Sequence, residues 1–304
     1  MTAQAAAPFI VGVPRSGTTL LRLMLDAHPN LAVPFETHFI ANFIGGRDTR
    51  SLSAHAFCNE IVATPYWKNL GLSATALHAA VESQGPFSVA DGLRTLYGLY
   101  AAQFGKTRWG DKTPPYLRSM VGLQELLPEA HFIHIVRDGR DTALSLRNLW
   151  FGPGRDVGAA AEFWMTEIAN ARKQAHQLNH YIELKYEALV HDPETMLKIV
   201  CQYLKIDYAP AMLDFHRTAA ARLSEVVQSF GPHGTSGPDI AAFLAIHDST
   251  SRPPDAGRIG RWKADMSDSE QSQFEKIAGR WLAEFNSETR FSSRSAPAGI
   301  VEGP

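Results

Sequence analysis

Two stretches of the chain combine residue types and spacings suited to holding an anion. The first is Gly12-Val13-Pro14-Arg15-Ser16-Gly17-Thr18-Thr19, a turn with glycines at Gly12 and Gly17 and one arginine between them. Where such a turn opens a helix, successive backbone N–H groups lack intrahelical partners and the helix dipole is positive, so a phosphate-like group is stabilised there. Glycine lets the backbone approach that group closely. Arg15 can add a fork of donors to two of its oxygens. The second stretch is Arg137-Asp138-Gly139-Arg140, with Ser145 eight residues after Arg137. It repeats the strand-to-helix geometry, and Arg137 and Ser145 can converge on a second anionic group. Two further charges fall near predicted strand ends, Glu36 after Leu31-Ala32-Val33 and Lys112 at the turn of Arg108–Pro115. In open α/β sheets ligands bind beyond the carboxyl ends of the strands.

The elements that must place these residues are legible in the apolar pattern. Phe9–Val13 is a short β-favouring run, and Leu20, Leu21, Met24 and Leu25 recur at helical spacing over Thr18–Ala27. A brief strand at Leu31–Val33 and a helix over Tyr116–Leu127 follow, and His131–Val136 is the clearest central strand. A helix from Asp141 carries Ser145, another spans Glu162–Leu178, and Tyr181–Lys185 is a strand. Asp192-Pro193 opens the next helix with a cap and an N1 proline. Ser267 and Glu270 form a capping box before an apolar stripe that includes Phe274, Trp281 and Leu282. Alternating strands and helices predict an α/β fold: one domain over residues 8–290, a P-loop-like parallel sheet flanked by helices, with helical insertions. Phe39–Gly105 is such an insertion, lining a pocket; its Tyr66 and Trp67 are either core aromatics, the commoner use of such rings, or stand around that pocket with Phe35, Phe39 and Trp150. Residues 1–7 and 291–304 are expected to be disordered tails, and the Gly, Pro, Ser and His-rich stretch Ser229–Gly260 is long enough to be a lid.

Composition narrows the classes of function. The chain has 304 residues, 45% of them apolar, with a formal net charge of -2. That balance makes no electrostatic case for nucleic acid or an anionic membrane as partner. The sequence has neither an 18-residue apolar run nor a signal-peptide pattern at its N-terminus, so a cytoplasmic location without a membrane span is expected. The two cysteines, Cys58 and Cys201, form no close-spaced pair, which argues against a disulfide framework or a thiolate zinc site. His176 and His180 stand four apart, but neither an HExxH glutamate nor a third ligand accompanies them, so no metal is expected.

Gly12-x4-Gly17 is also the spacing of the nucleotide-binding P-loop, except that Thr18 stands where its lysine belongs. That lysine reaches the terminal phosphates of a nucleoside triphosphate, and its replacement argues against ordinary ATP or GTP hydrolysis. With both anion motifs in hand, most of the chain resembles the sulfotransferases that use 3'-phosphoadenosine 5'-phosphosulfate (PAPS). The stretch PRSGTTLLRLMLDAHPNLAVPFET is especially similar to the tyrosylprotein sulfotransferase branch and its bacterial relatives.

The resemblance implies the sulfotransferase fold and a residue-by-residue site. Pro14 to Thr19, with Arg15, Ser16, Gly17, Thr18 and Thr19, would bind the 5'-phosphosulfate, and Arg137 and Ser145 the 3'-phosphate. Glu36 matches the catalytic base, and Lys112 in GDKTP the lysine that stabilises the transferring group. Tyr186 in KYEALVHDP is expected near the adenine. Ser249, Ser251 and Arg261 in STSRPPDAGRIGRW are expected to fold over the nucleotide. The tyrosylprotein branch carries arginine where this chain has His38 and a further basic residue where it has Leu149. The expected acceptor is accordingly a hydroxyl of a small molecule, carbohydrate or lipid, with adenosine 3',5'-bisphosphate as product. Two other classes fit the anion motifs: a P-loop kinase of a small metabolite with Asp138 as a metal ligand, and a non-catalytic nucleotide-binding protein.

Overall fold

A computed structural model of the chain describes residues 4–227, 248–285 and 287. Its strands are β1 (Ala7–Val11), β2 (Leu31–Ala32), β3 (Arg108–Trp109), β4 (Asp111–Lys112), β5 (Ala130–Val136) and β6 (Tyr181–Lys185). Four of them form one parallel sheet in the order β4-β1-β5-β6. Every residue of β1 and β5 is buried, as for strands covered on both faces, and this is why they read as near-continuous apolar runs. The register aligns Ile10 with Lys112, Val11 with His134 and Val136 with Lys185, so the four carboxyl ends finish along one edge.

Helices cover both faces. On one side, α1 (Thr18–Asp26) packs with later helices on Ile10, Ile133, Ile135 and Leu184. On the other, the insertion covers Phe9, Val11 and Phe132. It contains α2 (Ala54–Val62), α3 (Ala74–Glu82) and α4 (Val89–Ala102). Ser53, Ser73 and Ser88 each cap one of these helices by accepting a backbone N–H. Phe39 and Trp67 lie inside this core, which decides for the core reading of these aromatics over a pocket wall. The chain continues through α5 (Met120–Leu126), α6 (Gly139–Leu146), α7 (Val157–Ala175), α8 (Tyr186–His191), α9 (Pro193–Tyr203) and α10 (His216–Val227). The C-terminal helix Asp268–Glu284 has both halves of its capping box and packs Phe274, Ala278 and Leu282 against Trp164 of α7.

Several boundaries differ from the sequence reading. β1 starts at Ala7, one residue inside the expected tail, while residues 1–3, 229–247 of the expected lid and 291–304 lie outside the described residues. β2 pairs with β3 in a separate two-stranded sheet. The helix read over Tyr116–Leu127 is a 3-10 turn, Pro114–Arg118, then α5, the break falling at Ser119 with φ -138 and ψ 24. α7 starts before Glu162 because Asp156 accepts the Ala159 N–H at 2.6 Å, and it ends at Ala175. His176 is therefore its C-cap residue, and His180 lies beyond it, stacked on His131 with ring centroids 3.9 Å apart. The two histidines share no helix face. Both cysteines are buried and free, and among the described residues no helix is long and apolar enough to cross a membrane.

Candidate active site

The turn after β1 is shaped by its own polar atoms. Ser16 donates its hydroxyl to the Val13 carbonyl at 2.7 Å and its N–H to the same oxygen at 3.1 Å. Its side chain thus closes the loop. Gly17 has φ 104, and a Cβ there would stand 2.4 Å from Tyr186 Cδ2. Only glycine allows α1 to start this close to that ring. Arg15 is a non-glycine residue with φ 73, an arrangement that persists where surrounding contacts fix it. One of those contacts joins the two anion motifs: Arg15 Nε donates to Ser145 Oγ at 3.1 Å.

Arg137 leaves the end of β5 and ties three segments together. Its guanidinium donates to the Arg15 carbonyl at 3.3 Å and to the Arg258 carbonyl at 2.8 Å, and its Cζ lies 4.6 Å from the centre of the Tyr186 ring. Its Nε is buried and has no hydrogen-bond partner among the described residues. Arg15, Arg137 and Arg258 line one cleft at the N-terminus of α1, with Thr18, Thr19 and Tyr186 beside them. Burial first, then repulsion from Arg137 and Arg258, lowers the Arg15 pKa to about 10. An anion entering the cleft relieves that repulsion.

The C-terminal part of the site differs from the sequence expectation. Arg261 turns away and pairs with Asp265 at 2.6 Å, more than half exposed. The cation on the cleft wall is Arg258, three residues earlier, and Thr250 lines the wall where Ser251 does not. The side chain of Ser249 lies outside the described residues. Arg258 was missed because DAGRIGRW offers two arginines at nearly equal spacing, and only the turn at Asp255, whose carboxylate accepts the Gly257 N–H, decides which one faces inward.

Glu36 and Lys112 meet beside this cleft. Lys112 is in β4 and fully buried, not on an exposed turn, because pairing with Ile10 draws it into the sheet. Its Nζ donates to Glu36 Oε1 at 2.8 Å and lies 3.7 Å from the centre of the Phe35 ring. The other carboxylate oxygen, Oε2, is 3.1 Å from His38 Nε2. His38 has φ 54, which folds its ring back over the chain, and it stacks on Tyr66 at 4.4 Å. Burial pushes the Glu36 carboxyl up, but Lys112 and His38 outweigh it and bring the pKa to about 2. Burial also lowers Lys112, against the pull of Glu36.

The segment carrying Glu36 is fixed from behind. Thr37 donates its N–H to Thr113 Oγ1 at 3.0 Å and its hydroxyl to Asp111 Oδ2 at 2.7 Å, an oxygen that also accepts from Tyr97 at 2.8 Å. Arg22 of α1 donates to the Val33 carbonyl at 2.8 Å. Asp138 is not placed as a metal ligand. It caps α6, and its two oxygens accept from Arg140 at 3.0 and 2.7 Å.

Comparison with known proteins shows the family and the fold. A profile described as "Sulfotransferase family" matches residues 8–210, well over half of the chain. The protein-tyrosine sulfotransferase of Drosophila melanogaster is 25% identical over 299 residues, covering 84% of this chain and 54% of that protein. Protein-tyrosine sulfotransferase A of Caenorhabditis elegans is 29% identical over 216 residues, covering 67% and 51%. The chain thus spans about half the length of these curated relatives. Among solved structures, the sulfotransferase domain of the Synechococcus PCC 7002 olefin synthase superposes with a TM-score of 0.59 at 23% identity, covering 93% of this chain and 97% of that one. The sulfotransferase domain from the curacin biosynthetic pathway gives 0.59 at 22% identity, covering 95% and 100%. These two share its fold.

Proposed function

Because the chain belongs to the sulfotransferase family, we propose that it transfers a sulfuryl group from PAPS to an acceptor hydroxyl, releasing adenosine 3',5'-bisphosphate. The observation that carries this reading is the joining of both anion motifs in one cleft, three guanidiniums deep, beside a carboxylate and ammonium pair. The orphaned Nε of Arg137 and the mutual repulsion of the arginines fit a bisphosphorylated nucleotide.

In the transfer, the acceptor oxygen forms a bond to sulfur as the bond from sulfur to the 5'-phosphate oxygen breaks, and the hydroxyl proton passes to Glu36. Arg15 and the loop N–H groups hold the sulfonate and 5'-phosphate. Proton uptake cancels the charge on Glu36, which frees the Lys112 ammonium to serve the leaving oxygen together with Thr18. Arg137, with Ser145 and Arg258, would take the 3'-phosphate, and Tyr186 would lie against the adenine. The four cations Arg15, Arg137, Arg258 and Lys112 take over the neutralisation that metal ions provide in phosphoryl transfer.

For the acceptor, the His38–Tyr66 stack and the Phe35 ring beside Glu36 suit a hydroxyl on a small molecule, carbohydrate or lipid. The second reading, a tyrosyl hydroxyl of a peptide, is favoured by the names of the curated relatives. Radiolabelled PAPS in EDTA, offered a metabolite and lipid extract in one arm and tyrosyl peptides in the other, tests both. Label is expected on a metabolite or lipid. Transfer to peptide alone selects the second reading. Magnesium-dependent consumption of ATP would establish a kinase instead. Tight binding of adenosine 3',5'-bisphosphate with no turnover of PAPS would leave a non-catalytic nucleotide-binding protein.

A further inference from the structure

We propose that His55, His78 and Glu82 form a site for a divalent transition metal of the zinc class, which staples α2 to α3. The site lies in the helical insertion, apart from the cleft, and does not depend on the sulfuryl-transfer reading. His78 and Glu82 are four residues apart on α3 and therefore share a face; His55 comes from the first turn of α2. His55 Nδ1 is 3.0 Å and His78 Nδ1 3.2 Å from the same atom, Glu82 Oε1, and the imidazole centroids are 4.8 Å apart. One ligand atom from each residue fits within a span of 4.8 Å.

Two imidazole nitrogens and a carboxylate oxygen are a common ligand set for zinc, with a fourth position left to water. Bonds of about 2.0–2.2 Å in a tetrahedron set neighbouring ligand atoms roughly 3.3–3.6 Å apart, so the 3.0 and 3.2 Å spacings to Glu82 open slightly while the spacing between the two imidazole nitrogens, within 4.8 Å, closes by rotation of the exposed His55 side chain. The metal displaces the Nδ1 protons and replaces hydrogen bonds with coordination. Access is open, since the side chains of His55 and Glu82 are 70% and 45% exposed. The backbone beneath is already set by packing: Phe57, Cys58 and Ile61 of α2 and Leu77 and Val81 of α3 belong to one core. α2 also runs directly into the 3-10 turn Pro65–Leu70, which carries Tyr66. A staple here stiffens the support on which His38 rests.

The test is titration of the chelator-stripped full chain with Zn²⁺ against a chromophoric chelator, repeated with Co²⁺ for its visible spectrum. One equivalent is expected on the wild type, with the melting temperature rising on addition of Zn²⁺. His55→Gln and Glu82→Gln are expected to fold, shown by an unchanged melt in EDTA, yet to weaken binding beyond the roughly 10- to 100-fold that loss of an outer hydrogen bond costs and to abolish the zinc-dependent rise. Wild-type binding that persists unchanged in both variants, or no stoichiometric binding to the wild type, overturns the proposal.

Discussion

Glu36 is held by the Lys112 ammonium and the His38 ring before any acceptor arrives, and this bears on the proposal that it acts as a base. With its carboxyl at about 2, it is ionised across the working range, so the free enzyme's kcat/KM should show no acid limb from Glu36 between pH 5 and 8. On the alkaline side burial has lowered Lys112, and activity should fall below the ordinary lysine range as that ammonium loses its proton. A folded-state pKa depressed below the unfolded one also stabilises the fold above the unfolded carboxylate value, and this contribution is lost as pH falls towards about 2. Glu36→Gln keeps an acceptor for Lys112 and should fold, with a loss of about 10²- to 10⁴-fold in kcat; steady-state rates and a melt on the same sample decide it. Glu36, Lys112 and Arg137 were legible because short motifs name them. The supports were not: Asp111 gives no outward sign that it anchors Thr37, and His38 reaches Glu36 only through a left-handed backbone. Nor could His55 be linked to His78 and Glu82, whose contact spans two helices, whereas the histidine pair read at four-residue spacing, His176 and His180, shares no helix face.

At the scale of elements, α1 is positioned by its far end as much as by the turn that starts it. Asp26, its last residue, accepts from Arg222 Nε at 2.6 Å and Nη2 at 2.8 Å and from the Val33 N–H at 2.9 Å. Both partners of the ion pair are buried. Burial pushes the Asp26 carboxyl up, but Arg22 and Arg222 outweigh it and hold it below its ordinary value, so this support too is present at neutral pH and fades on acidification. Arg222 reaches on to the Tyr100 hydroxyl of α4 at 2.7 Å, which locks α1, α4 and α10 to one another. Asp26→Asn keeps the shape but removes the negative charge paired with a buried guanidinium, and urea unfolding should show a loss of about 3–5 kcal/mol. A cost under 1 kcal/mol would mean that water reaches the pair. None of this was readable from sequence, where Asp26 and Arg222 are far apart. Elements with local signals were readable: the Asp192-Pro193 start of α9 and the Ser267–Glu270 box are set by neighbours within one turn. The two-residue strands β2 and β3 have too few residues to carry a period, and their pairing could not be foreseen.

For the whole molecule, the cleft is assembled from four distant parts of the chain: the turn before α1, the β5–α6 junction, Tyr186 after β6, and the stretch around Thr250 to Arg258. Three of these follow strands of one sheet and are placed by its register. The fourth is joined to them by the Arg137 bond to the Arg258 carbonyl and by Asp141, which accepts the N–H groups of Gly260 at 2.7 Å and Trp262 at 3.0 Å. A nucleotide that touches all four parts binds the folded chain and not the unfolded one. Adenosine 3',5'-bisphosphate at one hundred times its Kd should therefore add about 2.7 kcal/mol, a rise in Tm on the order of 5–10 °C at about 2–4 °C per kcal/mol. Adenosine 5'-monophosphate lacks the 3'-phosphate proposed for the Arg137 side of the cleft, and at equal concentration it should raise Tm by much less. In Arg258→Ala the difference between the two nucleotides should shrink, because one of the three guanidiniums is gone while the sheet that carries the other two is intact. Equal shifts from both nucleotides on the wild type would show that the second anion motif does not read a phosphate. A full response in Arg258→Ala would return the C-terminal contact to another residue of the 248–261 stretch.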